Sequence, residues 1–259
     1  LSLHDALPIS LVISVVVFVQ AVRIFRLDEA SYAWSSLALG EFQLDLLLSA
    51  QPLGAFMLLF AMGFGVLITL YSLASKAEVH RVNEYYGSIL LAIGGSAGIL
   101  LSNHLLFLLI FWEIVTASLY ILISTGGKNS NFAATKSFAM IGASDAGLLL
   151  GIGMVWVLSG TFVMSEISLS TTTALPVMAF LLLMLAAITK AGAMPLHTWV
   201  PTSGQYAPAT VMALLPAALD KLLGIYLLVL IVTGLFALEH GPLTIVLAVI
   251  GAATIVIAV

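Results

Sequence analysis

The chain has 259 residues, of which 62% are hydrophobic and 8% are charged, and its formal net charge is −4. A soluble globular domain carries about 25% charged residues, so this composition indicates that lipid surrounds most of the chain. The chain contains no cysteine, which excludes disulfides, iron–sulfur clusters and thiolate metal sites on it, and no basic cluster that would bind nucleic acid.

Both ends of the sequence have unusual features. Residues 1–10, LSLHDALPIS, resemble a translated sequencing-adapter junction, and we expect them to be foreign to the protein. Because the chain begins with Leu1 and stops inside an apolar run at Val259, we also expect it to be a fragment. We expect residues 11–51 to form a first span and an acidic outer loop, and residues 52–259 to form the main transmembrane domain.

Eight segments are long and apolar enough, or nearly so, to cross a hydrocarbon layer about 30 Å thick, which takes about 20 helical residues. A β-barrel is disfavoured because apolar runs such as AFLLLMLAAI do not alternate with polar residues. The sequence therefore predicts an all-α, polytopic transmembrane helix bundle. The predicted spans are residues 9–27, 52–75, 85–102, 104–124, 133–159, 174–194, 207–233 and 241–259.

Basic loop residues predict the orientation, because lysine and arginine favour the cytoplasmic side. They follow the second and fourth spans: Lys76, Arg81, Lys128 and, just beyond, Lys136. This pattern places the even-numbered loops and the N-terminal end of the first span in the cytoplasm. Arg23 and Arg26 lie at the opposite end of the first span and argue against this orientation.

Several ionisable residues lie inside the predicted spans: Glu113, Lys136, Asp145, Lys190 and the adjacent pair Asp220 and Lys221. A charge at the bilayer centre costs about 2.5–3.5 kcal/mol, so we expect these groups to face the bundle interior or water and to pair with one another. Two structural interpretations remain open: Lys136 can extend to the headgroups, and Asp145 can hydrogen-bond a neighbouring helix. The functional interpretation is a proton relay, switched by a Glu113–Lys190 contact that forms and breaks.

A discontinuous helix is predicted near Lys190–Pro201. Gly192, Pro195 and Pro201 cannot sustain one regular helix, because proline removes a backbone donor and clashes with the preceding turn. Broken helices at membrane depth line a cavity or are buried in protein. His197 lies inside this segment and adds a group that titrates near neutral pH, although a histidine near a span end is more often interfacial.

Three stretches together resemble a known family: FWEIVTASLYIL (111–122), ATKSFAMIGASDAGLLLG (134–151) and TKAGAMPLHTWVPTSGQYAPATVMALLPAALDKLLGIYLL (189–228). They are similar to the antiporter-like membrane subunits of respiratory complex I, of Mrp-type sodium/proton antiporters, and of energy-converting membrane hydrogenases and formate hydrogenlyase. The resemblance covers about residues 50–259. The LLPAALDKLLGIYLL segment looks most like the hydrogenase-type branch.

The resemblance implies roles for individual residues. Glu113 matches the family's glutamate on the fifth helix, and Lys190 its central lysine on the discontinuous seventh helix. Lys136 matches a lysine at the start of the family's sixth helix. Lys221 lies in the eighth helix, where many members carry a lysine or a nearby histidine. Asp220, Asp145 and His197 are expected to be auxiliary. Pro216 stands where the complex I-type branch has a histidine, and this departure favours the hydrogenase-type branch.

The implied function is proton translocation by one subunit of a redox-driven complex, in the cytoplasmic (inner) membrane of a prokaryote. Protons would reach Lys190 from the cytoplasm, and the family's second inverted repeat, missing here, would provide the exit. We expect no cofactor or metal on this chain, and as partners other membrane-arm subunits, a peripheral redox module, the lipid bilayer and protons or sodium. Two alternatives stay open: a sodium/proton antiporter module without a redox partner, and a non-conducting structural subunit.

Overall fold

The structure, a computed structural model, describes residues 3–27, 30–39, 42–72, 81–238 and 241–258. Its long helices are α1 (Leu3–Phe25), α2 (Pro52–Ser72), α3 (Val82–Leu101), α4 (Leu105–Ser124), α5 (Ser130–Ser159) and α6 (Ala174–Ala191). They are followed by α7 (Trp199–Tyr206), α8 (Ala209–Leu214), α9 (Asp220–Leu230) and α10 (Pro242–Ala258). Two π-helical turns, Leu215–Leu219 and Ile231–Leu235, flank α9.

The predicted polytopic helix bundle is confirmed. Within the described ranges, seven helical segments are long and apolar enough to cross a membrane, and the last of these, Ala209–Leu235, runs from α8 through α9. The predicted eighth span corresponds to α10, which is apolar but shorter. The spans are helical because a helix satisfies its own backbone hydrogen bonds where no water is present. The chain is therefore a multi-pass membrane protein.

The predicted outer loop contains two β-strands. Strands β1 (Ala30–Leu39) and β2 (Phe42–Ala50) are antiparallel, and the register joins Ala30 to Ala50 and Leu39 to Phe42. Two further strands of two residues each, β3 (Leu169–Ser170) and β4 (Phe236–Ala237), pair in parallel.

Arg81 and the C-terminal end of α4 lie at the same end of the bundle. The Arg81 guanidinium donates a hydrogen bond to the Ser124 hydroxyl and forms a salt bridge of 2.9 Å with Glu84. This contact agrees with the expectation that the basic loops share one side. Lys76, on which that expectation also depends, lies outside the described residues, and the side that faces the cytoplasm stays a prediction.

Helix α6 packs against both α5 and α9. Gly224 of α9 permits the second contact, because a Cβ atom there would lie 2.5 Å from the Ala187 carbonyl oxygen and 2.6 Å from the Ala191 nitrogen. Helix α4 packs against α3 and α5. Helices α4, α5, α6 and α9 therefore form one group of neighbours.

The predicted helix break is present immediately after Lys190. Gly192 takes a left-handed conformation with φ of +71°, which ends α6 and which glycine adopts without steric cost. The backbone groups released by the break find partners: the Met194 amide donates to Thr254 Oγ1 of α10 at 3.0 Å. The Trp199 indole nitrogen donates to the Thr189 carbonyl at 2.9 Å, which holds α7 against the end of α6.

A second irregularity lies before α9. In the π turn Leu215–Leu219 the Asp220 amide donates to the Leu215 carbonyl, five residues earlier. Pro216 lies in this turn and has no backbone N–H, so the regular ladder is already interrupted there. A π turn adds one residue to the helix and rotates the residues after it by about 100° relative to a continuous α-helix.

We expect Gly224→Ala to destabilise the protein, because the added methyl group meets the backbone of α6 rather than a movable side chain. Overpacking of this kind costs about 1–3 kcal/mol, so the thermal unfolding midpoint of the purified protein in detergent should fall.

Gly153→Ala is the matched control, since a Cβ at Gly153 of α5 meets nothing within 4 Å. There the substitution should leave the midpoint unchanged or raise it, because alanine favours a helix over glycine. Equal midpoints for the two variants would show that the α6–α9 contact does not depend on Gly224.

Candidate functional site

Lys190 lies in the last turn of α6 with its side chain fully buried. Its Nζ donates to Thr116 Oγ1 at 2.8 Å and lies 3.5 Å from the Trp112 carbonyl oxygen. The same Nζ lies 4.5 Å from the centroid of the Trp112 ring, a cation–π distance. Such an interaction is worth about 2 kcal/mol or more when it is desolvated. The surroundings of Lys190 therefore suit an ammonium group.

Two carboxylates from other helices complete these surroundings. Asp145 of α5 is 3% exposed and accepts hydrogen bonds from Trp112 Nε1 at 2.8 Å and from Thr116 Oγ1 at 3.2 Å. Asp220, the first residue of α9, places Oδ1 at 3.9 Å from Lys190 Nζ. We refer to Trp112, Thr116, Asp145, Lys190 and Asp220 as the Lys190 cluster.

Thr116 links the two halves of this cluster. Its hydroxyl accepts a hydrogen bond from Lys190 and can donate its own proton to Asp145 or to the Trp112 carbonyl, which is 3.1 Å away. A hydroxyl that accepts from one ionisable group and donates to another can pass a proton between them. The geometry thus connects Lys190 to Asp145 without direct contact.

Asp220 differs from Asp145 in its hydrogen bonds. Both carboxylate oxygens of Asp220 are buried, and neither accepts a hydrogen bond from any residue that the structure describes. The separation of 3.9 Å from Lys190 exceeds hydrogen-bond length. A buried polar group without a hydrogen-bond partner is uncommon and requires an explanation.

Glu113 was predicted to contact Lys190, and the structure places it elsewhere. Its side chain is exposed on the surface of this chain, and within the described ranges it forms no salt bridge with Lys190. The reason is helical geometry: Glu113 follows the buried Trp112 by one residue and therefore points about 100° away from it. Glu113 still interacts electrostatically with Asp145 and Lys190.

The other two predicted relay lysines also lie outside the Lys190 cluster. Lys221 is exposed on α9, one residue beyond the buried Asp220. Lys136 is half-buried and donates to Thr202 Oγ1 of α7 at 2.7 Å. It precedes Asp145 by nine residues, roughly 13 Å along α5.

The predicted residues of the helix break lie where the break occurs. Gly192 is half-buried, whereas Pro195 and Pro201 are exposed. His197 is half-buried, and its Nδ1 atom is buried without a hydrogen-bond partner in the part of the chain that the structure describes. These residues form the connection from α6 to α7, and the hydrogen bonds of the Lys190 ammonium within the described ranges go to Trp112 and Thr116 instead.

Trp112 and Thr116 are the site residues that the sequence analysis did not select. They are four residues apart and therefore share a helix face, so the spacing is a usable signal once Lys190 is known to need oxygen partners. Hydrophobic periodicity could not have revealed this face, because α4 is apolar on all sides. In the described residues, no group of three or more His, Cys, Asp or Glu side chains is arranged to hold a metal ion.

Comparison with known proteins assigns the chain to a family. Residues 102–259 match the family described as NADH:quinone oxidoreductase/Mrp antiporter, TM. One Na(+)/H(+) antiporter subunit of Alkalihalophilus pseudofirmus is 34% identical over 182 residues, which are 66% of this chain and 22% of the relative. An NAD(P)H-quinone oxidoreductase chain 4 of a Synechococcus species is 31% identical over 196 residues, 74% of this chain and 37% of the relative. The chain thus spans less than half the length of these relatives.

Solved structures show the same fold. A chain of the Mrp complex from a Dietzia species superposes with a TM-score of 0.72 at 23% identity, over 88% of this chain and 28% of that one. Respiratory complex I from Thermus thermophilus gives a TM-score of 0.73 at 20% identity, over 99% of this chain and 52% of that one. The predicted resemblance is confirmed, and the chain belongs to the NADH:quinone oxidoreductase/Mrp antiporter family of membrane subunits.

Proposed function

We propose that this chain is the proton-translocating part of a membrane subunit, with Lys190 as the central ionisable group. The observation that carries the proposal is a fully buried lysine, at a helix break, between two buried carboxylates from other helices. Ionisable residues inside membrane spans are costly and rare, and they commonly mark ion pathways and proton relays. A structural ion pair would need one carboxylate, whereas the Lys190 cluster has two.

We further propose that electron transfer in partner subunits drives this translocation. The relatives include both sodium/proton antiporter subunits and quinone oxidoreductase chains, so the comparisons support ion translocation with either driving force. The resemblance of the LLPAALDKLLGIYLL segment to the hydrogenase-type branch is our reason for preferring the redox-driven form. The partners would be other membrane-arm subunits and a peripheral redox module, in the cytoplasmic membrane of a prokaryote. The alternative is an antiporter module without a redox partner.

The remaining predicted residues have roles at a distance in this proposal. Glu113 influences Lys190 through space rather than by contact, from the exposed side of α4. Lys136, through its hydrogen bond to Thr202, joins the start of α5 to α7 and thus to the helix break. Lys221 extends the relay only if water or another subunit covers its exposed side chain.

Lys190→Ala and Glu113→Ala should both abolish coupled translocation, because each removes a charge that sets the proton affinity of the cluster. The measurement uses the full-length protein in its complex, reconstituted in vesicles, and follows the acidification that electron transfer drives. A parallel assay with an imposed sodium gradient separates the redox-driven form from the antiporter form.

Lys128→Ala is the control for removal of a lysine, since Lys128 is exposed in the turn between α4 and α5. It should translocate at the wild-type rate at matched protein content. Wild-type translocation by Lys190→Ala in an assembled complex would show that this lysine is a structural charge.

Thr116→Val should slow translocation while the complex stays assembled. The substitution keeps the shape of the side chain and removes the hydroxyl that Lys190 and Asp145 share. A hydrogen bond to a charged group is worth about 1.5–3 kcal/mol, so we expect a decrease of about tenfold or more in rate.

Thr69→Val provides the matched control for Thr116→Val. Thr69 is equally buried, but its hydroxyl donates to the Gly65 carbonyl of its own helix, and it is far from the cluster in sequence. An equal loss of rate in both variants would assign the effect to helix packing instead of the bridging hydroxyl.

A further inference from the structure

The charges of the Lys190 cluster do not balance. Lys190 and Asp220 have fully buried side chains, and Asp145 is 3% exposed. With all three groups ionised, one ammonium faces two carboxylates, and the cluster carries one excess negative charge. Uncompensated charge in a bundle surrounded by lipid is costly, so the resting cluster requires one further positive charge. Glu113 and Lys221, which lie nearby on α4 and α9, are exposed and face away from the cluster.

The hydrogen bonds indicate which of the two carboxylates binds the additional positive charge. Asp145 accepts hydrogen bonds from Trp112 and Thr116, and such bonds stabilise an ionised carboxylate. Asp220 accepts none from the described residues, although both its oxygens are buried. Lys190 lies at hydrogen-bond distance from Thr116 but not from Asp220. These hydrogen bonds therefore stabilise the charged form of Asp145 more than that of Asp220, so Asp220 is the more favourable position for the additional proton.

A metal cation is a poorer occupant than a proton at this position. Hard cations take about six or more oxygen ligands, and the described residues contain no group of three or more His, Cys, Asp or Glu side chains arranged to hold a metal ion. Thr116 Oγ1 already accepts a hydrogen bond from Lys190. A single proton neutralises the cluster and needs no additional ligand.

We propose that Asp220 carries the transported proton and that its ionisation switches the contacts of Lys190. This inference rests on the proposed function and names the residue that holds the ion. With Asp220 neutral, the Lys190 ammonium binds Thr116 and Trp112, as the structure shows. When the Oδ–H bond of Asp220 breaks and its proton passes to a water molecule that enters the bundle during translocation, the carboxylate attracts Lys190, and the separation of 3.9 Å closes to a direct ion pair. Return of a proton from such a water molecule reforms the Oδ–H bond and releases Lys190.

The local backbone supports this assignment. Asp220 directly follows the π turn Leu215–Leu219, and π turns occur frequently at functional sites. The turn rotates α9 so that Asp220, and not Lys221, points into the bundle. The irregular helix and the carboxylate without hydrogen bonds are independent observations at the same position.

Infrared difference spectroscopy of the purified complex tests the proposal directly. A neutral aspartic acid absorbs through its C=O stretch, and this band shifts in deuterium oxide. We expect the band in the wild-type complex, its loss in Asp220→Asn, and its retention in Glu84→Gln, which removes an exposed carboxyl group that is salt-bridged to Arg81. Translocation by Asp220→Asn should fall to the level of vesicles without the complex.

A second variant separates loss of the carboxyl group from misfolding of the protein. Asp220→Glu keeps a carboxyl group at this position, so the band should persist at a shifted frequency and part of the translocation should return. A band that remains in Asp220→Asn, or that responds to sodium instead of to pH, would overturn the assignment of the proton to Asp220. If Asp220→Asn translocates normally while Lys190→Ala does not, this inference fails and the proposed function stands. If both variants translocate normally, both proposals fail.

Discussion

The burial of an ammonium group in a bundle surrounded by lipid is the constraint on which the functional part of this structure depends. Lys190 reaches no solvent, so its hydrogen-bond partners and its compensating charge must come from neighbouring helices. Helix α4 supplies a hydroxyl, a carbonyl and an aromatic face, whereas α5 and α9 supply carboxylates. The convergence of α4, α5, α6 and α9 is therefore both a packing arrangement and an electrostatic requirement. It also explains why close backbone contact at Gly224 matters, since α9 must approach α6 to bring Asp220 near.

The helix break next to Lys190 is subject to the same constraint, because its polar backbone groups also need partners from neighbouring helices. In a regular helix the backbone N–H and C=O groups bond to one another, whereas a break leaves some of them without partners. A break at membrane depth therefore persists only where other groups hydrogen-bond to the released backbone. Here Thr254 of α10 and the Trp199 indole satisfy groups near the break. The result is an irregular, polar region at the end of α6, directly beside an ionisable side chain. Such a region can change its hydrogen bonds at lower cost than the middle of a continuous helix.

In two pairs of neighbouring residues, the sequence did not indicate which member is buried in the site. Trp112 and Asp220 are buried, but their neighbours Glu113 and Lys221 are exposed. Residue type alone could not separate them, because a membrane helix that is apolar on every face carries no periodic signal of which side points inward. For α9 the π turn adds a further rotation that no residue pattern predicted. The sequence therefore selected Lys190 and residues on the helices that surround it, and it did not select Trp112 and Thr116.

The sequence by itself determined that this protein is a bundle of membrane helices with a discontinuous segment after Lys190. The physical reason for the first feature is that lipid permits few spanning structures. The reason for the second is that closely spaced glycine and proline residues interrupt a regular helix. The same residues were sufficient to identify the family. Which ionisable groups meet was decided only by the tertiary structure, because those contacts depend on the rotation and approach of separate helices. Asp220 lies near Lys190 because of a π turn and a close contact at a glycine, and both are properties of the packed bundle.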